Sequence, residues 1–154
     1  MSTSTQASTV RSRVQIDPRG PRFAATVTVL VLAGALLTAP SGATVVLLAV
    51  QVVVFAIGAL TGVQHTPYAW LFRALVRPRL GAPAELEDAA PPRFAQGVGL
   101  AFGVVALAGY AAGADLLGAV ATAFALAAAF LNAAFGYCLG CELYLLGRRL
   151  APAR

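Results

Sequence analysis

The residues best equipped for chemistry in this 154-residue chain lie near its end, in GYCLGCELYLLGRRL (136–150), where both cysteines stand three positions apart. A Cys-x-x-Cys pair suits a reversible disulfide, because residues i and i+3 of a helical turn lie about 5 Å apart, within disulfide reach. Reactivity depends on where the helices begin. A cysteine that opens a helix has its thiolate stabilised by the positive dipole end, whereas one near a helix C-terminus is a poor nucleophile. An unbroken helix through Cys141 leaves Cys138 and Cys141 inert, while a break at Gly136 with a restart at Cys138 activates them. Gly136 and Gly140 permit the break, and a helix from Leu116 to Arg149 would otherwise be about 51 Å long, well beyond what a bilayer core needs. Both arrangements stay open at this level, as does the plain alternative that the cysteines only fill an interface.

Neighbouring residues could tune the pair. Glu142 lies one turn from Cys138, where it could accept a proton or oppose thiolate formation by its charge. His65, the single histidine, falls opposite Tyr137 in an internal repeat described below and so enters the thiol layer as a lesser candidate. Asn132, less than two turns before Cys138, joins Gln51 and Gln96 as the polar residues expected inside the bundle, either bonding across helices or lining a polar pocket beneath the thiols. No metal and no cofactor is expected: two thiolates fall short of the four ligands of a zinc or iron–sulfur site, and only monovalent copper accepts such a pair. A structural disulfide is not expected in a reducing cytosol.

These residues must be positioned by a chain that is 59% hydrophobic and 11% charged, with a mean hydropathy of +0.79. That is more apolar material than a soluble core of this length can hide, so lipid is the expected solvent. Four charge-free spans run over about 23–39, 43–63, 94–112 and 116–136. Each has the length to cross a core of about 30 Å, the first only just, and inside lipid each must be a helix. The links 40–42 and 113–115 are short enough to force tight turns. The fold class expected is an all-α integral membrane protein of four transmembrane helices arranged as two helical hairpins. Thr66-Pro67 reads as an N-cap and first-turn pair opening a short interfacial helix, YAWLFRALV, with ELYLLGRR as its counterpart. The units are a disordered polar tail (1–13), a first hairpin unit (14–80), a cytoplasmic linker (81–93), a second unit carrying the cysteines (94–150) and a short tail (151–154).

All eleven basic residues are arginine, and all fall on one side of the four spans. Short basic loops stay cytoplasmic, which places both termini, the 64–93 loop and the cysteine pair inside a bacterial inner membrane. The net charge of +5 then reads as orientation and contact with anionic lipid, not as nucleic-acid binding. An internal repeat supports a membrane helix over a cleaved signal at the first span, despite the small residues Ser41-Gly42-Ala43. DPRGPRFA (17–24) aligns with DAAPPRFA (88–95), and HTPYAWLFRALVRP from His65 aligns with YCLGCELYLLGRRL from Tyr137. Two such units with even numbers of spans imply a pseudo-two-fold axis along the membrane normal, with Thr66 and Ala69 opposite Cys138 and Cys141.

The segments DPRGPRFA, HTPYAWLFR, PPRFAQ and NAAFGYCLGCELY together resemble the bacterial membrane family known as domain of unknown function 4395, over residues 14–149. The resemblance carries no established activity and no catalytic assignment. It implies a sulfur and thiol setting, with a thioredoxin-like protein or a rhodanese-type sulfurtransferase as partner. Three functional expectations remain: a cytosol-facing thiol redox or sulfur-relay protein, a small transporter or transporter subunit for a sulfur-containing anion, and a membrane anchor for a soluble enzyme.

Overall fold

The structure, a computed structural model, describes residues 13–151. Apart from Arg13 and Ala151, the two expected tails lie outside the described residues. The order of elements is β1 (Gln15–Ile16), α1 (Arg19–Leu37), α2 (Gly42–Thr61), α3 (Pro67–Leu71), β2 (Glu87–Asp88), α4 (Ala90–Ala111), α5 (Asp115–Phe135) and α6 (Leu139–Leu150). Helices α1, α2, α4 and α5 are long and apolar enough to cross a membrane. Helix α1 packs against α2 and α5, and α4 packs against α2, α5 and α6. The protein is an all-α bundle with the character of a membrane protein.

Helices α1 and α4 start at Arg19 and Ala90, ahead of the expected Phe23 and Phe94, for a local reason. Asp17 Oδ1 accepts the Arg19 N–H at 3.0 Å and Asp88 Oδ1 accepts the Ala90 N–H at 2.9 Å, satisfying donors that a helix start leaves free. Pro21, Pro91 and Pro92 sit in first turns, where a missing N–H does no harm. The 81–93 segment, expected as a linker, holds β2 and the start of α4. Strand β2 pairs antiparallel with β1, Gln15 opposite Asp88 and Ile16 opposite Glu87, and Arg13 lies 3.6 Å from Asp88. The chain ahead of α1 is thereby clasped to the chain ahead of α4.

The core is small and built from short side chains. Leu32 and Leu48 pack with Ala35, Ala106, Tyr110, Ala121 and Ala125. Glycines let the helices meet: a Cβ on Gly109 would come within 2.7 Å of the Gly118 backbone nitrogen, so α4 and α5 touch main chain to main chain. A row of small residues on α4 is used inside the chain, Gly99 and Gly103 facing Phe55 and Val52 of α2 and Ala95 facing Gly140 of α6. Outside, the surface is oily. Leu37, Leu60, Leu116 and Phe135 are 86, 72, 79 and 72% exposed, an apolar surface that water would not tolerate and acyl chains would.

Two arginines tie the helix ends together. The Arg22 guanidinium donates from Nε to Ala133 O and from Nη2 to Ala134 O, both at 3.1 Å, covering final carbonyls of α5. Arg93 does the same at the end of α2, donating to Ala59 O and Leu60 O at 2.8 Å each. The last carbonyls of a helix have no partner within it, and a cation there also meets the negative end of its dipole. The starts of α1 and α4 and the ends of α2 and α5 therefore share one end of the bundle. Aromatic contacts follow suit, Phe23 against Phe72 with ring centroids 5.8 Å apart and Phe94 against Tyr144 at 5.7 Å.

Candidate functional site at the start of helix α6

The long final helix does not form, because Gly136 adopts a left-handed conformation, φ 69°. Its N–H donates to Asn132 O at 2.9 Å and the Tyr137 N–H to Leu131 O at 3.3 Å, closing α5 in the manner of a glycine cap. The chain then restarts. Cys138 is extended (φ −91°, ψ 98°) and is the N-cap of α6, its Sγ accepting the Cys141 N–H at 3.3 Å. Of the two arrangements open from the sequence, the structure has the break and restart: Cys138 is the N-cap and Cys141 lies in the first turn of a twelve-residue helix. Cys138 and Cys141 are joined as a disulfide, with Cα atoms 5.2 Å apart.

The turn that opens α3 is built alike without sulfur. Thr66 is the N-cap of α3, and its Oγ1 accepts the Ala69 N–H at 3.2 Å. Thr66 and Cys138 thus perform the same backbone task at aligned positions, as do Ala69 and Cys141. Only the start of α6 carries sulfur there.

A hollow of about 500 Å³ opens between α1, α4, α5 and α6, and both cysteines line it. At the cysteine end it meets Arg22, Gln96 and Asn132; further in, its walls are apolar, with Phe55, Phe102, Phe124 and Ala128. The first turn of α6 is held against α4, because Gly140 abuts Ala95 so closely that a Cβ there would lie 2.6 Å from Ala95 Cα. Gln96 is pressed against Gly58 in the same way, a Cβ on Gly58 falling 2.8 Å from Gln96 Cγ. Gln96 Oε1 is buried without a hydrogen-bond partner among the described residues. A second hollow of about 320 Å³, lined by Gln64, Thr66, Ala69, Arg73 and Arg77, also reaches Gln96.

The other expected site residues separate. Gln51 is 1% exposed and fully engaged between helices, donating to Thr28 Oγ1 at 3.4 Å and accepting from Tyr68 OH at 2.9 Å, and it does not line the cysteine hollow. Asn132 and Gln96 do line it. Glu142 is exposed on the outer side of the first turn of α6. His65 is exposed on the turn between α2 and α3, with Nδ1 2.8 Å from Thr61 O, and it lines neither hollow. Arg22, Phe102 and Phe124 belong to the site and were not singled out beforehand. Arg22 carried a signal in the repeated PRFA string, whereas a phenylalanine in an apolar span carries none.

Beside the two hollows, Asp17 is held by Arg19, whose Nη2 lies 2.8 Å from Oδ2. The hydrogen bond from the Arg19 side chain, opposed by burial and helped by the charges of Arg19 and Arg77, keeps the Asp17 carboxyl below the usual carboxylate range.

No characterised protein and no solved structure matches the chain. A family model matches residues 16–149, nearly its whole length, the loop–helix break and both cysteines included, and the chain therefore belongs to the family described as domain of unknown function DUF4395.

Proposed function

We propose that the protein is a thiol–disulfide redox or sulfur-relay protein of the bacterial inner membrane, with Cys138 as nucleophile and Cys141 as the resolving thiol. The observation that carries the reading is the position of Cys138 as N-cap of α6, its sulfur receiving the Cys141 N–H. Once the disulfide is reduced, that N–H and the helix dipole favour thiolate at Cys138, the species that attacks a disulfide or persulfide sulfur. The mixed species formed with a partner is resolved when Cys141 attacks Cys138, restoring the internal disulfide and releasing the partner reduced. Glu142 stands exposed beside the pair and is assigned the lesser role of taking up protons at the surface; His65 lies away from it.

The arginines at the cysteine end argue for that end facing the cytoplasm, with both termini inside. The partner in this reading is a soluble thioredoxin-like protein or a rhodanese-type sulfurtransferase. Two hairpin units related by a pseudo-two-fold axis along the membrane normal are part of the same proposal. Four matched pairs support it: the Asp17 and Asp88 caps, the Arg22 and Arg93 forks, the Phe23–Phe72 and Phe94–Tyr144 contacts, and the Thr66 and Cys138 N-caps. Anion transport would need a polar path through Gln51, Gln96 and Asn132. Gln51 does not line the hollow that holds the other two and reaches it only through its bond to Thr28, its oxygen being taken by Tyr68, which favours the relay.

Trapping tests the proposal. In nanodiscs, Cys141→Ser should accumulate a mixed disulfide with a thioredoxin-like partner through Cys138, and Cys138→Ser should accumulate far less. Equal trapping by both variants, or by neither, would remove the assigned roles.

A further inference from the structure

Thiol–disulfide exchange is reversible: when a partner dithiol attacks the Cys138–Cys141 disulfide, the reverse of the step above, the partner leaves oxidised and Cys138 and Cys141 are left as thiols, so turnover in that direction needs a two-electron oxidant in contact with them. We infer, resting on the redox reading above, that the hollow beneath the cysteines seats a lipid-soluble carrier of the quinone class, which reoxidises the pair. Three observations point there.

The first is shape and access. On α5 the hollow runs from Asn132 to Phe124, eight residues or about 12 Å, from the cysteines into the bundle. Its volume of about 500 Å³ falls in the range of small-molecule sites, about 300–1,000 Å³. Phe102 and Phe124, whose rings lie 6.1 Å apart across α4 and α5, are 38 and 62% exposed on the flank that lipid covers. The two rings are in contact, so a ligand entering there from the acyl-chain region would part them, and it would do so without passing through water.

The second is polarity. The walls are mostly apolar, with Thr28 the polar residue further in and Gln96, Asn132 and the charged Arg19, Arg22 and Glu87 also in the lining. A neutral carboxamide accepts from a quinol hydroxyl and donates to a quinone carbonyl, so it suits both redox states of such a ring. An acyl chain supplies neither partner.

The third is contact with sulfur, since Cys138 and Cys141 both line the hollow. The step balances with no other reactant. One thiolate adds to the ring, the second sulfur attacks the first, the carbon–sulfur bond breaks, and its electron pair stays on the ring. The two protons lost by the thiols end on the two ring oxygens, giving one disulfide and one quinol.

The test uses the full chain, reduced in nanodiscs and freed of reductant, with decylubiquinone as probe. Its fully substituted ring resists permanent alkylation. The expected result is one quinol formed per disulfide regained. Ala128→Trp, which fills the hollow, should slow this step by roughly a hundredfold, as displacement of reacting atoms does. A photoactivatable azidoquinone should label the wild-type chain within 96–102 or 124–132, a readout that needs no variant to fold. Quinone reduction no faster than by free dithiothreitol, or labelling confined to the outer helix faces, would overturn the inference. Exchange of the wild-type disulfide with a soluble dithiol is measured separately. If exchange persists without quinone reduction, only the quinone site falls; if exchange is also absent, the redox reading falls with it.

Discussion

At the scale of single residues the site depends on where a helix starts. Cys138 and Thr66 show that one capping geometry serves a hydroxyl and a sulfur equally, and only the sulfur adds electron chemistry to it. Replacing Thr66 and Ala69 together by cysteine should therefore create a second reactive pair beside the 320 Å³ hollow. Counting maleimide-reactive thiols after reduction in the folded protein checks this, and four rapid thiols are expected where the native chain has two. Gly136 controls the same chemistry from two residues upstream. Its φ of 69° penalises a side chain, so Gly136→Val should lower stability by about 1–2 kcal/mol. The valine should also slow Cys138 alkylation as the chain is drawn toward a continuous helix. The spacing of the cysteines and the break were both legible as possibilities. The Gly136 cap is local and its glycine was legible as a permitted stop; choosing between them also needed the fit of Gly140 onto Ala95, a contact between segments that leaves no local mark.

At the scale of elements, the ends of helices do most of the organising. The four apolar spans were readable from composition, yet the starts of α1 and α4 lay four residues earlier than hydropathy placed them, because caps and first-turn prolines extend a helix through charged residues that a charge-free window excludes. Arg22 and Arg93 were legible as orientation signals, but their bonding to the ends of α5 and α2 was not. Arg22→Ala and Arg93→Ala should each lower the melting temperature in detergent. Their effects should add in the double variant, since the two forks share no partner. The Asp17 clasp supplies a pH dependence. Its carboxyl pKa is depressed in the folded protein, so the stability it contributes is present above the unfolded value, about 3.9, and is lost as pH falls through the lower folded value. Melting curves below about pH 4 should show a decline that Asp17→Asn reduces.

For the whole molecule, the arginine-bearing end and the oily flank divide the surface between two solvents, and the cysteine hollow sits where both are in reach. The residues matched between DPRGPRFA and DAAPPRFA have physical tasks in the structure: Asp17 and Asp88 accept from helix-start N–H groups, and Arg22 and Arg93 donate to helix-end carbonyls. Orientation is checked in spheroplasts: a membrane-impermeant maleimide should modify reduced Cys138 only after permeabilisation. Among all these claims, the activated thiol at the start of α6 carries the functional account. Its most direct measurement is the pH dependence of Cys138 alkylation in the reduced Cys141→Ser protein in nanodiscs. An apparent pKa well below the ordinary thiol value of about 8.5 is predicted. A value at or above 8.5, with alkylation no faster than that of an unstructured cysteine peptide, would contradict it.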